Sequence, residues 1–428
     1  MVYSILMKHC VSHFCTAVNV APENGKIPMS IAGYQFSYHS RLENMPPEFL
    51  RLAEASEDYF LQKDYLELLE TCPPPGMHFG YLLFSCHGEA CGIAYCQLLE
   101  FRADDQIRRE EQPTYPLKTW VASQLKFPVL LCGNMLLTGQ HGYYFSPAAE
   151  KHAAPLLEEA LEKVSRLLHY KGNKPGGLLV KDIPQMDQDA IRSWERTAFR
   201  RLSFQPKMVL SIPARWECME DYLEDLNSKY RVRYRRAEKK LGKIRCHELN
   251  SRQVLAYEPE LYDLYKNVAD SSEFCMTYLH PNYFSELKSR NPDNFRLWGY
   301  FLEDRLIGFC TSIKNGDELE AHFLGLDKAL HKRHQLYLNM LFHLVETAIE
   351  YKVSRLILSR TALTIKSSIG AQPEPASVYM KHPDNRLVNL SIPFLVKLLQ
   401  PNDHWEVRHP FKESSTEEMA GKPAPNDR

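Results

Sequence analysis

The chain has no stretch approaching the roughly 18 uninterrupted apolar residues that a transmembrane helix needs, so the sequence offers no membrane span. It has no Cys-x-x-Cys pair. Its 11 cysteines cannot all pair with one another, and Cys86, Cys91 and Cys96 stand five apart without a second pair at zinc-ligand spacing. They read as small buried thiols of a reducing compartment, and no metal site is expected. There is no basic-then-apolar N-terminal signal, because Lys8, His9 and His13 interrupt Met1–Val20. A cytoplasmic protein is therefore the expectation. Nor is there an excess of either charge: 52 basic residues meet 53 acidic ones, for a net charge of −1. That balance speaks against a dedicated nucleic-acid binder but leaves room for a local basic patch.

What is present is ordinary globular material, 44% hydrophobic and 25% charged. A length of 428 residues allows two or three domains. The expected extension 1–28 ends just before Met29. Met45–Glu70 has helical spacing and is stopped by Cys72-Pro-Pro-Pro-Gly76. Phe79–Ser85 and Cys91–Phe101 flank a His87-Gly88 turn and read as a hairpin. The polar stretch Arg102–Gln124 looks inserted. A strand at Phe127–Gly133, a loop holding His141, an amphipathic helix at Ala154–Tyr170 and a short strand at Leu178–Val180 follow.

The second half repeats the order. Leu261–Arg290 is mostly helical, Phe295–Leu302 and Leu306–Ile313 form a hairpin, and Asn315-Gly316-Asp317 is a second turn. Leu319–Leu326 is a central strand, Leu338–Tyr351 a helix and Ser354–Ser359 a strand. The hairpin glycines Gly92 and Gly308 occupy matching places, so the pattern predicts a degenerate duplication with its joint near Ile212-Pro213. A central strand, long helix and parallel strand set a helix N-terminus, suited to a pyrophosphate, beside a strand edge suited to an extended amide ligand.

The residues Phe295–Ile313, Leu319–Asp327, Tyr337–Tyr351 and above all Thr361-Ala-Leu-Thr-Ile-Lys-Ser-Ser-Ile-Gly-Ala371 carry a family likeness. Lys366 and Gly370 match the Lys-x-x-x-Gly ending of the tandem branch of the GNAT acyltransferases, and the chain resembles that branch, which includes the Fem-type peptidyltransferases. The resemblance covers residues 215–400 well, and residues 30–210 by element order. It implies an α/β (α+β) fold of two tandem GNAT-like domains, each a mixed sheet flanked by helices. The expected layout is 29–212 for a degenerate domain, 213–411 for the acyltransferase domain and 412–428 for a tail of disordered composition. It further implies acyl transfer to a small-molecule or peptide amine in a bacterial protein. The donor it implies is acetyl-CoA or another acyl-CoA as co-substrate, or an aminoacyl-tRNA in the Fem type. The donor-binding candidates are Leu324, Leu326, Gln335 and Tyr337, with Lys332 and Arg333 as a source of positive charge and Arg360 at the exit of the last parallel strand, for which a structural ion pair is the alternative.

The family's glycine-rich pyrophosphate loop is replaced here by Asp327-Lys-Ala-Leu-His-Lys-Arg-His-Gln-Leu-Tyr337, which has no glycine. Acyl transfer needs a base, an oxyanion donor and an acid. Glu320 and His322 are predicted to share one face of the central strand, with Leu319, Ala321 and Phe323 on the other, and are the candidate bases; a paired or edge-exposed set is the alternative. Lys366 is the candidate for stabilising an oxyanion or binding an anion; its alternative is a surface lysine. Tyr337 is a candidate acid, or an aromatic packing residue. His141, Tyr143 and Arg231 are candidates for the substrate side, with loop packing as the alternative for the first two. Cys310 reads as buried rather than nucleophilic. Lys229–Arg245 holds nine basic residues and one acidic, a possible phosphate-binding face. Three classes stand: a GNAT N-acyltransferase, an aminoacyl-tRNA-dependent Fem-type transferase, and a non-catalytic binding protein on the same fold.

Overall fold

The structure, a computed structural model, describes residues 25–102, 126–168, 174–272, 277–399 and 405–412. The expectations for 1–24, for most of the inserted stretch and for the tail beyond Lys412 lie outside the described residues. The chain divides into two compact units, Met1–Phe204 with Ala376–Pro401, and Gln205–Pro375 with Asn402–Arg428.

The first unit begins with strands β1 (Ile27–Pro28) and β2 (Tyr34–His39), so the expected extension already contributes a strand at its end. Helices α1 (Pro47–Ala55) and α2 (Lys63–Thr71) follow, with Pro47 at a position that needs no N–H donor. The hairpin β3 (His78–Cys86) and β4 (Glu89–Arg102) turns through His87 and Gly88, both at positive φ. Then come β5 (Lys126–Cys132), β6 (Tyr143–Phe145), α3 (Ala153–Leu167), β7 (Gly177–Pro184), α4 (Gln188–Glu195) and β8 (Arg200–Ser203). In α3 the apolar residues Leu156, Leu157, Ala160, Leu161 and Val164 recur at helical spacing and are fully buried against the sheet. β5 and β7 pair in parallel from Val129 to Cys132.

The second unit runs β9 (Lys207–Ser211), α5 (Met219–Asp225), α6 (Ser228–Leu241), β10 (Ile244–Glu248), α7 (Ser251–Ala256), α8 (Glu258–Ala269), α9 (Tyr283–Arg290), β11 (Phe295–Leu302), β12 (Arg305–Asn315) and β13 (Glu318–Leu326). It continues through α10 (His331–His334), α11 (Leu336–Glu350), β14 (Arg355–Ile357), α12 (Leu363–Ser367) and β15 (Gln372–Glu374). The sheet order is β10-β11-β12-β13-β14-β9-β15. The chain then returns to the first unit as β16 (Ala376–Lys381), between β7 and β8, and α13 (Arg386–Leu399). Trp194 stacks on Tyr379 with ring centroids 5.2 Å apart, fixing β16 in that sheet.

The joint therefore differs from the one expected. The chain changes unit at Phe204/Gln205, because β9, ahead of Ile212-Pro213, already pairs with β14 and β15. The return of β16 and α13 had no counterpart in the sequence reading. Strand pairing is non-local, and nothing in the six residues of β16 says which sheet completes them. Among the described residues, no helix is long and apolar enough to cross a membrane.

Candidate functional site

The site is built around β13. On one edge it is fully laddered to β12, but Cys310 faces Leu324 while Ser312 faces Ala321, so β13 carries an extra residue at His322–Phe323. The hydroxyl of Thr311 stabilises this bulge twice: Oγ1 accepts from the Phe323 N–H and donates to the Phe323 carbonyl, both at 2.8 Å. The bulge changes the strand's parity. Ala321, Leu324 and Leu326 pack on the core with Leu319, while Phe323 meets the rings of Tyr265, Tyr283 and Phe284. The expectation that Phe323 lies with Leu319 and Ala321 is corrected: one inserted residue turns it to the face of His322, where the two neighbouring rings lie 4.5 Å apart. Gly325 follows, where an added Cβ would stand 2.7 Å from the backbone of Leu264, so glycine lets α8 lie directly on the strand.

On its other edge β13 pairs in parallel with β14 only from Glu318 to Glu320, opposite Arg355 to Ile357. Beyond that rung β14's direction is taken up by β9: the Leu358 N–H donates to the Met208 carbonyl at 2.8 Å, and the Met208 N–H to the Ser359 carbonyl at 3.0 Å. The two strands diverge, and residues 321–326 have no ladder partner on that side among the described residues. The buried carboxyl side chain of Glu320 stands at the last rung, and Ser359 two residues past it on the other side.

Lys366 reaches this mouth from α12. It is 3% exposed, its Nζ donates to Ser359 Oγ at 3.4 Å, and it has no ion pair among the described residues. Burial alone holds its amine down to about 7. The surface-lysine alternative is thereby removed. The turn that carries Lys366 closes at Gly370, whose φ is +103° and where a Cβ would collide with the Phe411 ring. The segment 405–412 packs there: Ser367 Oγ accepts from the Arg408 N–H at 3.1 Å.

The stretch without glycine is organised by Asp327, which accepts from the Ala329 and Leu330 N–H groups at 2.9 and 3.1 Å and pairs with Arg305. α10 then presents Lys332 and Arg333 to solvent. Gln335 links α10 to α11 in the left-handed conformation (φ 49°), and its Oε1 is buried with no hydrogen-bond partner in the structure. The first N–H groups of α11 have no intrahelical partner by geometry. α6 lies beside this junction: Asn339 Nδ2 donates to the Ala237 carbonyl at 2.9 Å, and His334 Nδ1 lies 2.8 Å from the Lys240 carbonyl.

The comparisons with known proteins agree with this layout. Residues 228–367 match the family model described as the acetyltransferase (GNAT) domain. The second unit carries a GNAT domain. Among solved structures, FemX is 10% identical, with a TM-score of 0.50, over 82% of this chain and 98% of that one. A tandem GNAT protein from the clavulanic acid biosynthesis pathway is 9% identical, with a TM-score of 0.44, over 82% and 99%. A GCN5-related N-acetyltransferase from Sphaerobacter thermophilus is 14% identical, with a TM-score of 0.37, over 81% and 96%. No curated protein matches the chain. The chain thus shares its fold with FemX, with the GNAT match confined to residues 228–367.

Within the GNAT domain, His322 lies 2.8 Å from the Tyr283 hydroxyl, and burial depresses its imidazole to about 3, so the ring is neutral at physiological pH. A ring so weakly basic is a poor proton acceptor, which sets His322 apart from Glu320 as a candidate base. Tyr337 packs on the core, and burial raises its phenol. Leu324 and Leu326 are core contacts, and Arg360 follows Ser359 where β14 ends. Arg231 caps the turn before α6, donating to the Leu226 carbonyl at 2.5 Å and to Ser228 Oγ at 3.2 Å. Cys310 is buried, and desolvation pushes its thiol well up. Outside the GNAT domain, His141 Nδ1 lies 2.8 Å from Asp58 Oδ2 and its ring packs on Phe60. Tyr143 sits in β6, paired with Ala94, its phenol raised by burial. Thr311, Tyr283 and Ser359 were not singled out in the sequence, since each acts through a partner distant in sequence or across the sheet.

Proposed function

We propose that the GNAT domain is the catalytic unit of an N-acyltransferase that moves an acyl group onto an amine by direct attack, with acetyl from acetyl-CoA as the first donor. The observation that carries this reading is the divergence of β13 from β14 with Lys366 buried beside it and without an ion pair among the described residues. A buried ammonium without a carboxylate is costly in the resting fold and becomes favourable when negative charge appears next to it. Lys366 in its protonated form is the donor to the developing oxyanion. Glu320, at the last rung, takes the proton of the attacking ammonium. His322, neutral and held by Tyr283, is a positioning residue that keeps the bulge in place.

The residues present fit a CoA-type donor. Past Glu320 the edge of β13 has no ladder partner among the described residues and is placed to meet the amides of an extended arm, Leu324 and Leu326 shape that strand, and the orphaned Oε1 of Gln335 marks a polar place at the start of α11. Lys332 and Arg333, with the first N–H groups of α11, would hold the diphosphate in place of a glycine loop. A bound acyl-CoA would supply the activated thioester carbonyl.

A second reading, in which an RNA carries the acyl group, is favoured by α6. Lys229, Arg235, Arg236, Lys239, Lys240 and Lys243 are exposed and make no ion pair among the described residues. We assign the protein to the cytoplasm, where its free thiols would stay reduced. The test is a thermal-shift screen across acyl-CoA species. A donor at about 100 times its dissociation constant adds about 2.7 kcal/mol of stability. No shift with any acyl-CoA, together with RNA affinity that falls steeply with salt, replaces the first reading by the second.

A further inference from the structure

The helix α13 buries one side, and no described residue covers the other. Ile392 is 4% exposed and packs on Leu202 and Val378, with Val396 beside it, while Asn389 is tied to the backbone of His382. On the opposite side Leu387, Leu390 and Phe394, at spacing i, i+3, i+7, are 78%, 65% and 70% exposed. These three fall within an arc of about 60° around the helix axis. Large apolar side chains this exposed, in one row, mark a surface that something else covers.

The charges around the row favour one occupant. Arg386 and Lys397 are exposed, flank the row on one side and stand about 16 Å apart along the helix. Arg200 is also exposed; it lies two residues before Leu202 on the same face of β8, the face that α13 covers. Among the described residues none of these three has an ion pair. The helix Arg386–Leu399 contains no acidic residue, and Asp384 precedes it. In a two-fold dimer through this row, each copy would set its cations against the same cations of the other, with no carboxylate on the helix to answer them. Phosphate groups answer all three. A helix of 14 residues is too short to span a bilayer but suited to lie in its surface.

We propose that α13 is an in-plane docking element for an anionic lipid surface. Leu387, Leu390 and Phe394 enter the acyl boundary, and Arg386, Lys397 and Arg200 sit at the level of the headgroup phosphates. The surface belongs to the first unit and is independent of whether the GNAT domain transfers an acyl group.

The experiment is flotation of the full chain with vesicles of phosphatidylcholine and phosphatidylglycerol at 3:1, against phosphatidylcholine alone. The wild type is expected to float with the anionic vesicles and to partition at least about tenfold less onto the neutral ones. Leu390→Ser with Phe394→Ser should lower the anionic partition by at least about tenfold, with an unchanged melting temperature because both sites are exposed. Arg386→Ala and Lys397→Ala should each lower it by about fivefold. Absence of flotation with either vesicle overturns the proposal. So does equal flotation of wild type and double variant, which would move the contact elsewhere, for instance to α6. A concentration-dependent dimer in light scattering that the double variant abolishes, without flotation, would make the occupant a second copy and likewise overturn it.

Discussion

Each unit holds a buried lysine past the end of its parallel strand pair, and the two are satisfied in opposite ways. In the first unit Lys181, on β7, donates to the Asp182 carboxylate at 2.5 Å and to the Leu137 carbonyl at 2.6 Å. Asp182 in turn accepts from the Gly139 N–H at 2.9 Å, and the same loop is joined to Asp58 through His141. The residues that follow β5 are thus fastened to β7, and a further buried network links Gln97, Asn134 and Tyr65. In the second unit β13 runs on past its last rung with β14, and among the described residues the partner of Lys366 is the Ser359 hydroxyl. The comparison teaches that a shared element order can end in two different uses. One buried cation is spent internally on a loop; the other, on the proposed reading, is left for a charge that comes from outside the fold. On that ground we propose that the first unit is the degenerate domain and the GNAT domain the active one.

The sharpest break would come from turnover. Lys366→Met should lower the turnover number by about 100-fold or more, the cost of removing one donor to a developing oxyanion, with the chain still folded by circular dichroism. Unchanged turnover would remove Lys366 from the chemistry and dissolve the contrast with Lys181.

The stabilities of the two lysine variants should move in opposite directions. Lys181→Met leaves the fully buried Asp182 carboxylate without its cation and should destabilise the protein by about 3–5 kcal/mol in urea unfolding. Lys366→Met removes an uncompensated buried amine and should stabilise it, on the order of 2–4 kcal/mol at pH 7. The sign follows from proton binding. The amine titrates near 7 in the folded state and at its ordinary 10.5 in the unfolded one, so between those values only the unfolded chain holds the proton. Wild-type stability from this group therefore rises with pH across that window, and the advantage of Lys366→Met is full below pH 7 and gone above 10.5. A pH-independent difference would show that burial is not what shifts the amine.

The pH profile of kcat/KM separates the roles of the two candidate groups. With Lys366 acting as a cation, kcat/KM should fall about tenfold per pH unit above about 7, and Lys366→Arg, whose guanidinium stays charged, should flatten that limb. A rise through the same pH would instead make the neutral amine the proton acceptor. The smallest effect concerns the bulge. Thr311→Val deletes both hydrogen bonds to Phe323 and should cost about 1–3 kcal/mol of stability, together with a raised KM for the donor, since it is β13's free edge that shifts.

Much of the fold was legible because it rests on local chemistry. The His87-Gly88 and Asn315-Gly316 turns, the Leu156–Val164 stripe of α3 and the hairpins on either side of Gly92 and Gly308 lie within a few residues of one another, and period and turn residues suffice to read them. Lys366 and Glu320 were legible as residue types in a familiar ending and on a central strand. The burial of Lys366 was not, because the turn that carries it packs on the segment 405–412, some forty positions later. Phe323 was misplaced for a similar reason: strict alternation holds only while the ladder is regular, and the Thr311 hydroxyl on the adjacent strand is what stabilises the bulge. α13 was missed although its apolar spacing is visible, because spacing alone does not say which side the protein itself covers.

The amino-acid sequence determined the element types, the doubled order of helix, hairpin, strand, helix and strand, and the identity of the charged candidates, since these follow from residue periodicity and side-chain chemistry. Tertiary structure decided that β16 and α13 complete the first unit, that β13 parts from β14 after Glu320, and that among the described residues Lys181 has a paired carboxylate where Lys366 has a hydroxyl. Those outcomes depend on pairings and desolvation between residues far apart in the chain, and free energies of that kind exist only once the chain has closed on itself.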